Sequence, residues 1–292
     1  MAVSNYPSKI VLPQQRPVSP RLFDFFCQRF SKISSDVWRR RFVDGKVLDA
    51  NHQPIPLDAL YVPQSTVYYF REVDDEKVIP FHEEIVYRDD ELVVVCKPHF
   101  LPVTPGGRFV KECLVYRLRA ELKNDHIAPL HRLDRHTAGL VMLSLNPETR
   151  SHYAALFSQG DICKTYLAMG HYSTPTDQNK WEVRNRIEQG QPWFLRHVVD
   201  GTPNAHSTIR LRQQLDGCAS FELQPHTGKT HQLRIHMSGL GFPIINDRCY
   251  PTLQPEQADD FQRPLQLIAK GLQFKDPVTG RHHQFKSSRE LL

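Results

Sequence analysis

The sequence predicts an α+β protein whose larger domain is built on a mixed, mainly antiparallel sheet with flanking helices. From Ile85 onward, apolar runs of strand length predominate, namely EIVYRD, ELVVVCK, IAPLHRLD, AGLVMLSL, KTYLAMGH, HSTIRLRQQ and ASFELQP. Asp216-Gly217 separates two of these runs and marks a hairpin. A closing hairpin is expected in LIAKGLQFKDPVTGRHHQFK, which contains Asp-Pro and Thr-Gly turns. Strand-rich segments with a few helices are typical of this fold class.

Two segments among these strands predict helices. PETRSHYAALFSQG is expected to begin with Asn146 as its N-cap and Pro147 at its first position, and to end at Gly160. In THQLRIHMSGL, Leu233 and Met237 recur at helical spacing and predict an apolar face.

The first 80 residues predict a separate small α/β module. Residues 1–20 are rich in proline and polar residues, and we expect an irregular lead-in there. RLFDFFCQRF has apolar residues at helical spacing, and a second helix is expected from Ser35, as N-cap, to Gly45. The segments KVLDANHQPI and STVYYFREV then predict short strands, and residues 81–292 form the larger domain.

Composition and charge restrict the class of protein. The sequence contains no run of about 18 apolar residues, so no membrane span is expected. The first residues do not resemble a signal peptide. The six cysteines form no close pair, which disfavours a disulfide scaffold or a structural zinc site and favours a reducing, cytoplasmic setting. A net charge of +5 is compatible with a polyanionic partner.

Three consecutive arginines lie on the second predicted helix of the N-terminal module. Arg39, Arg40 and Arg41 indicate either a solvated helix face or contacts with phosphates. The sequence alone leaves both interpretations open.

Ionisable residues crowd two segments of the larger domain. In PLHRLDRHTAGLVML, they stand between apolar strand residues: His131, Arg132, Asp134, Arg135 and His136. An inert Arg–Asp ion pair at a strand end is one interpretation of this segment. The second segment, LQPHTGKTHQLRIHMSGLGFPIINDRCY, holds several donors close together: Lys229, Thr230, His231, Gln232, Arg234 and His236. These donors suit phosphates or carboxylates, and no carboxylate or thiolate stands at a ligand spacing from the two histidines to favour a metal.

Four ordered motifs carry a resemblance to a known family. HRLDRHTAGL closely resembles the HRLDxxTSGL signature of the RluA-type pseudouridine synthases, and THQLRIHMSGLGFPIINDRCY resembles their THQIRxHxxxxGxPIxGDxxY segment. ELVVVCKPHFLPVTPGG is similar to the family's opening motif, and KTYLAMG to its K-x-Y-x-A element. The resemblance covers about residues 84–285. Lys229, Ala138 and Asn246 depart from the usual residues, which bears on substrate choice rather than on the reaction.

The resemblance implies an RNA pseudouridine synthase that needs no cofactor or metal. Asp134 matches the catalytic aspartate, Arg234 the arginine that holds it ionised, and Tyr166 the tyrosine that stacks on the base and helps to remove the C5 proton. Arg132 would occupy the space left by a flipped base or hold a phosphate, and His131 would position the loop. The residues expected to line the entrance and contact RNA are Lys229, Thr230, His231 and Gln232. Residues 20–80 resemble an S4-type RNA-binding module, which would place Arg39, Arg40 and Arg41 on RNA.

The implied partner is structured RNA, either ribosomal or transfer RNA, with no membrane and no obligate protein partner. A non-catalytic RNA-binding protein that retains the synthase fold is the main alternative. A second alternative is an unrelated hydrolase that uses Asp134 with His131 or His136, although the sequence lacks a G-x-S-x-G nucleophile elbow.

Overall fold

The computed structural model describes residues 2–4, 6–15, 17, 19–31, 33–172 and 177–292. The chain divides into two compact units. One contains Met1–Lys77 with Gly106–Lys111, and the other contains Val78–Pro105 with Glu112–Leu292. In the described part of the chain, no helix combines the length and apolarity that a membrane crossing requires.

The smaller unit combines two helices with two short antiparallel sheets. Its elements are β1 (Ala2–Val3), β2 (Ser8–Val11), α1 (Leu22–Arg29), α2 (Ser35–Val43), β3 (Val47–Leu48), β4 (Thr66–Tyr69) and β5 (Glu72–Val73). Strands β2, β4 and β3 form one sheet, and β1 pairs with β5. The core is aromatic, with Phe26 and Trp38 fully buried and their ring centroids 4.7 Å apart.

Two details of this unit differ from the sequence prediction. Residues 1–20 are not wholly irregular, because β2 pairs antiparallel with β4 over four residues. That pairing joins segments more than fifty positions apart, so it cannot be predicted from local composition. The N-cap of α2 is Ser34 rather than Ser35, and its side chain accepts a hydrogen bond from the Val37 amide.

The larger unit is an eleven-stranded sheet with three helices. Its strands are β6 (Glu84–Arg88), β7 (Leu92–Lys97), β8 (Ala128–Pro129), β9 (Ala138–Ser144), β10 (Ile162–His171), β11 (Lys180–Gln189), β12 (Arg196–Val199), β13 (Ala205–Leu215), β14 (Cys218–Pro225), β15 (Leu267–Lys275) and β16 (His282–Lys286). Its helices are α3 (Leu114–Leu122), α4 (Arg150–Gln159) and α5 (Gln232–Gly239).

The sheet order is β12-β11-β13-β14-β10-β15-β9-β7-β6, with β16 beside β15 and β8 beside β9. Among the described strand pairs, only β9 with β15 is parallel. The predicted mixed, mainly antiparallel sheet is therefore confirmed, as are the two hairpins, β13–β14 and β15–β16.

Helices α4 and α5 cover neighbouring parts of the face presented by β10. Tyr153 of α4 packs in a cluster with Ile162, whereas Met237 of α5 packs with Ala168. Tyr166 lies between these two positions, next to a register shift where Thr165 pairs with Gly271 and Tyr166 with Ala269. The fold thus places Tyr166 between the parts of β10 that the two helices cover.

The helix predictions hold in type and differ at one boundary. Leu233 and Met237 form the buried face of α5, as predicted. Helix α4 begins at Arg150 rather than at Pro147, because the Asn146 carboxamide caps a preceding turn by accepting from the Glu148 amide. Gly160 ends α4 in the left-handed conformation, as expected.

Gly139 permits the close parallel contact between β9 and β15. Its φ is +108°, and an added Cβ would lie 2.2 Å from the Ala269 carbonyl oxygen. We expect Gly139→Ala to lower the free energy of unfolding by about 2–6 kcal/mol, the combined cost of backbone strain and overpacking. Urea unfolding would measure this. Gly239→Ala is the matched control, because no atom approaches its added Cβ and its φ is ordinary. Equal stability of the two variants would contradict the assigned role of Gly139.

Candidate active site

Asp134 lies in the loop that connects β8 to β9. Its backbone carbonyl accepts from the Thr137 amide at 3.1 Å, which closes a tight turn just before β9 begins. The carboxylate is 26% exposed, and its Oδ2 lies 3.2 Å from Nη1 of Arg234. Sequence positions one hundred residues apart therefore meet in one ion pair.

Arg234 extends from α5 and is held between two carboxylates. Its Nε and Nη2 donate to the two oxygens of Asp247, at 2.8 and 2.6 Å, while Nη1 donates to Asp134. The Arg234 side chain is only 4% exposed, and that of Asp247 is fully buried. Asp247 also accepts from the amides of Cys249 and Tyr250, so its own loop holds it in place. A bidentate pair of this kind fixes the direction of the remaining N–H group.

The charges around Asp134 favour its ionised form. Burial alone would raise the pKa of this carboxyl, but the charge of His231 when it is protonated and the charge of Arg234 outweigh burial, so the pKa lies below its ordinary value. Burial also lowers the pKa of His231. At neutral pH His231 is therefore uncharged. Arg234 provides the permanent positive charge, because Asp247 raises the pKa of its guanidinium even though burial lowers it.

His231 was predicted to line the entrance with Lys229 and Thr230, and it also lies beside Asp134. Its Nε2 is 3.7 Å from Oδ2 of Asp134, and its Nδ1 is 2.9 Å from the Tyr250 hydroxyl. That hydroxyl also accepts from the Arg196 amide and donates to the Arg196 carbonyl. Tyr250 therefore connects strand β12 to the histidine next to Asp134.

Tyr166 lies on β10, near Asp134. Burial and the nearby charge of Asp134 raise the pKa of its hydroxyl well above the ordinary value. The phenol is consequently protonated at neutral pH, and it can accept a proton only while it transfers its own.

Lys97 and Arg135 stabilise the backbone of the Asp134 loop. Lys97 is fully buried, and its ammonium donates to the carbonyls of Pro98, Leu101 and Arg135 at 2.9, 2.7 and 3.2 Å. Burial strongly lowers the pKa of Lys97. Arg135 itself forms a bidentate ion pair with Asp259, both distances being 2.8 Å. These contacts restrict the backbone on the C-terminal side of the carboxylate.

The other predicted residues are divided between surface and structural positions. Arg132, Lys229 and Thr230 are exposed. His131 stacks on Phe157 with ring centroids 4.6 Å apart, and its Nε2 accepts from the Met142 amide, so it supports the loop.

Gln232 requires a correction, because it does not line the entrance. It is 3% exposed, donates to the His206 carbonyl and Ser207 hydroxyl, and accepts from the Lys229 amide. A side chain with these partners orders the turn before α5 and is not available to RNA.

Three further residues of the site, Lys97, Asp247 and Tyr250, were not predicted. All three stand within quoted motifs, but none has a spacing from Asp134 that predicts contact. Only the packing of α5 on the sheet brings Asp247 and Tyr250 into the site.

We expect Asp247→Asn to lower the free energy of unfolding by about 3 kcal/mol, because the buried Arg234 would lose its bidentate carboxylate and keep only Asp134 as a charged partner. Chemical denaturation would measure this loss. The matched control is Glu222→Gln, which breaks a pair with the half-exposed Arg212 and should cost at most about 1 kcal/mol. A similar small loss in both variants would show that Arg234 does not depend on Asp247.

Comparisons with known proteins identify relatives of this chain. The family described as RNA pseudouridylate synthase matches residues 91–239. The dual-specificity RNA pseudouridine synthase RluA of Pasteurella multocida is 32% identical over 211 residues, which cover 67% of this chain and 88% of the relative. An uncharacterized RNA pseudouridine synthase of Synechocystis is 28% identical over 78% of this chain and 79% of the relative.

A solved structure shares the fold. Human RNA pseudouridylate synthase domain containing 1 superimposes with a TM-score of 0.59 and 20% identity, covering 71% of this chain and 84% of the human one. The sequence match, the relatives and the shared fold lead to one conclusion: the chain belongs to the RNA pseudouridine synthase family, in its RluA-type branch, and is an isomerase that acts on RNA.

Proposed function

We propose that this enzyme converts specific uridines of ribosomal or transfer RNA into pseudouridine, with Asp134 as the catalytic carboxylate. The observation that carries the proposal is the ion pair between Asp134 and Arg234, near Tyr166 of β10. The proposed setting is the cytoplasm, without a membrane or an obligate protein partner. The Pasteurella multocida relative is named a dual-specificity RNA pseudouridine synthase, which supports an RNA substrate.

The reaction breaks the bond between ribose C1′ and uracil N1, turns the base, and rejoins it through C5. An ionised carboxylate serves any of three routes, namely attack on the sugar, attack on the base, or assistance to elimination at the sugar. Arg234 favours the required charge state of Asp134, and its bond to Asp247 fixes the direction of approach. Because atoms and electrons balance within the substrate, no redox partner takes part.

The target uridine must leave the RNA stack to reach Asp134. Arg132 is exposed and stands two positions before Asp134, so it is suited to fill the vacated space or to hold a phosphate. Lys229 and Thr230 are exposed on the turn before α5 and are suited to backbone contacts. Tyr166 offers a ring for stacking on the flipped base and a hydroxyl for proton transfer from C5.

Asp134→Asn should reduce the single-turnover rate of pseudouridine formation by at least about 10⁴-fold, the upper range for one acid–base group. RNA affinity should be unchanged or slightly higher, because the substitution removes a negative charge from a site that binds a polyanion. Asp216→Asn, at the exposed turn between β13 and β14, removes the same charge and is the matched control, which should retain most of the rate. Turnover of Asp134→Asn well above background would contradict the proposed mechanism.

Tyr166→Phe should retain RNA affinity, because the aromatic ring remains. Its single-turnover rate should fall by about 10²–10⁴-fold if the hydroxyl transfers the C5 proton. A rate equal to that of the unmodified enzyme would reduce the role of Tyr166 to packing.

We propose further that residues 1–80 act as an S4-like RNA-binding module. Arg39 and Arg40 are exposed on α2, and the guanidinium of Arg39 lies 5.2 Å from the centre of the Phe23 ring. Arg41 is not part of this surface. It is 3% exposed, pairs with Glu72 and stacks on Trp38, so its expected contact with RNA is corrected to a structural role.

Charge reversal at Arg39 and Arg40 together should weaken RNA binding and flatten its salt dependence. Each lost phosphate contact should reduce the slope of log affinity against log salt by about 0.9 on a duplex and about 0.7 on single strands. Stability should change by only about 0.5 kcal/mol per site, as is usual for surface positions. The control reverses exposed Arg88 and Arg281, which changes the net charge equally. An equal salt slope for both double variants would end this proposal.

A further inference from the structure

We propose that Glu182, His206 and His226 form a binding site for a divalent transition-metal ion, with Zn²⁺ as the representative. Their ligand atoms all lie within 4.8 Å of one another. The site is separate from the isomerisation chemistry and does not depend on the proposed function.

Strand pairing brings the three side chains together. His206 on β13 lies opposite His226, just after β14, and the His226 amide donates to the His206 carbonyl at 3.0 Å. On the next strand, Glu182 of β11 pairs with Thr208 of β13. Side chains at directly opposed positions project from the same face of a sheet, so three adjacent segments present their donors together.

The cluster projects from the face opposite to α5. Trp181 and Ile209 pack against the core cluster that contains Leu233 and Met237 of α5. Neighbouring residues on a strand point to opposite faces. Glu182 and Thr208, which follow and precede them respectively, therefore face outward, away from the helix that carries Arg234.

The donor chemistry fits a transition metal. His206 Nε2 is 2.8 Å from Glu182 Oε2, and Thr208 Oγ1 is 2.8 Å from both Glu182 Oε1 and His226 Nε2. The two imidazole rings are stacked with centroids 4.2 Å apart, so their nitrogens lie side by side. Zinc binds nitrogen and oxygen ligands at about 2 Å, and two imidazoles with one carboxylate are a recurrent ligand set for such ions. Small side-chain rotations would exchange the present hydrogen bonds for metal bonds.

The sequence does not reveal this site, because the two histidines that stand close together in it are His231 and His236. Those two point to different partners, His231 to Tyr250 and His236 to Asn185. His206 and His226 are twenty positions apart, and only the β13–β14 pairing makes them neighbours.

Metal titration of the full chain tests the proposal. The protein is treated with EDTA, exchanged into chelator-free buffer, and titrated with ZnCl₂ and separately with NiCl₂ by calorimetry. We expect one saturable site whose affinity falls by at least about tenfold in His206→Ala, His226→Ala and Glu182→Gln, since loss of a direct ligand should exceed the effect of losing an outer-shell partner. His282→Ala, which removes an exposed histidine of β16, should bind like the unmodified protein.

Thermal unfolding provides a second readout and a folding control. ZnCl₂ should raise the melting temperature of the unmodified protein and of His282→Ala, because a ligand that binds the folded state stabilises it. The shift should be absent in His226→Ala and in Glu182→Gln, and the metal-free melting temperatures show whether each variant is folded. The six free cysteines offer zinc other ligands. Binding that keeps its full strength in all three ligand variants would therefore overturn the proposal, as would the lack of any saturable site.

Discussion

The buried guanidinium of Arg234 is the group on which the candidate site depends. A cation in a protein interior must be compensated by opposite charge, because its loss of hydration is otherwise too costly. Asp247 provides this compensation with two hydrogen bonds, and one N–H group is left to bind Asp134. The same contact therefore directs the Asp134 carboxylate and favours its ionised form. The chemistry proposed for this enzyme requires both.

The fold assembles this contact from distant segments. Asp134 comes from the turn before β9, Arg234 from α5, and Asp247 from the loop that follows that helix. Helix α5 is fixed to the sheet by Leu233 and Met237, and Lys97 binds the carbonyls beneath the Asp134 loop. Each segment has its own anchor, so the carboxylate is positioned before any RNA arrives. Such preorganisation is what electrostatic catalysis requires.

The sequence predicted most of the sheet, the face of α5 and the residues Asp134, Tyr166 and Arg234, because these follow from local periodicity and from ordered motifs. The chemical roles of these three residues remain a proposal. The burial of Arg41 and Gln232 could not be predicted, because each side chain has partners that lie far from it in the sequence. Strand β2 and the contact between Asp247 and Arg234 were not predicted for the same reason. Pairing between remote segments has no local pattern.

The central claim is that Arg234 keeps Asp134 ionised, and a carboxyl ¹³C NMR titration of Asp134 tests it most directly. In the unmodified protein, the midpoint should lie below the ordinary value of 3.8. A depressed pKa in the folded state means that the associated stability is present at neutral pH and is lost as the pH falls through that midpoint. In Arg234→Gln, the charge of protonated His231 still opposes burial but that of Arg234 is lost, so the midpoint should rise from its value in the unmodified protein, whereas Arg234→Lys should keep it low. The same midpoint in the unmodified protein and in Arg234→Gln would contradict the account.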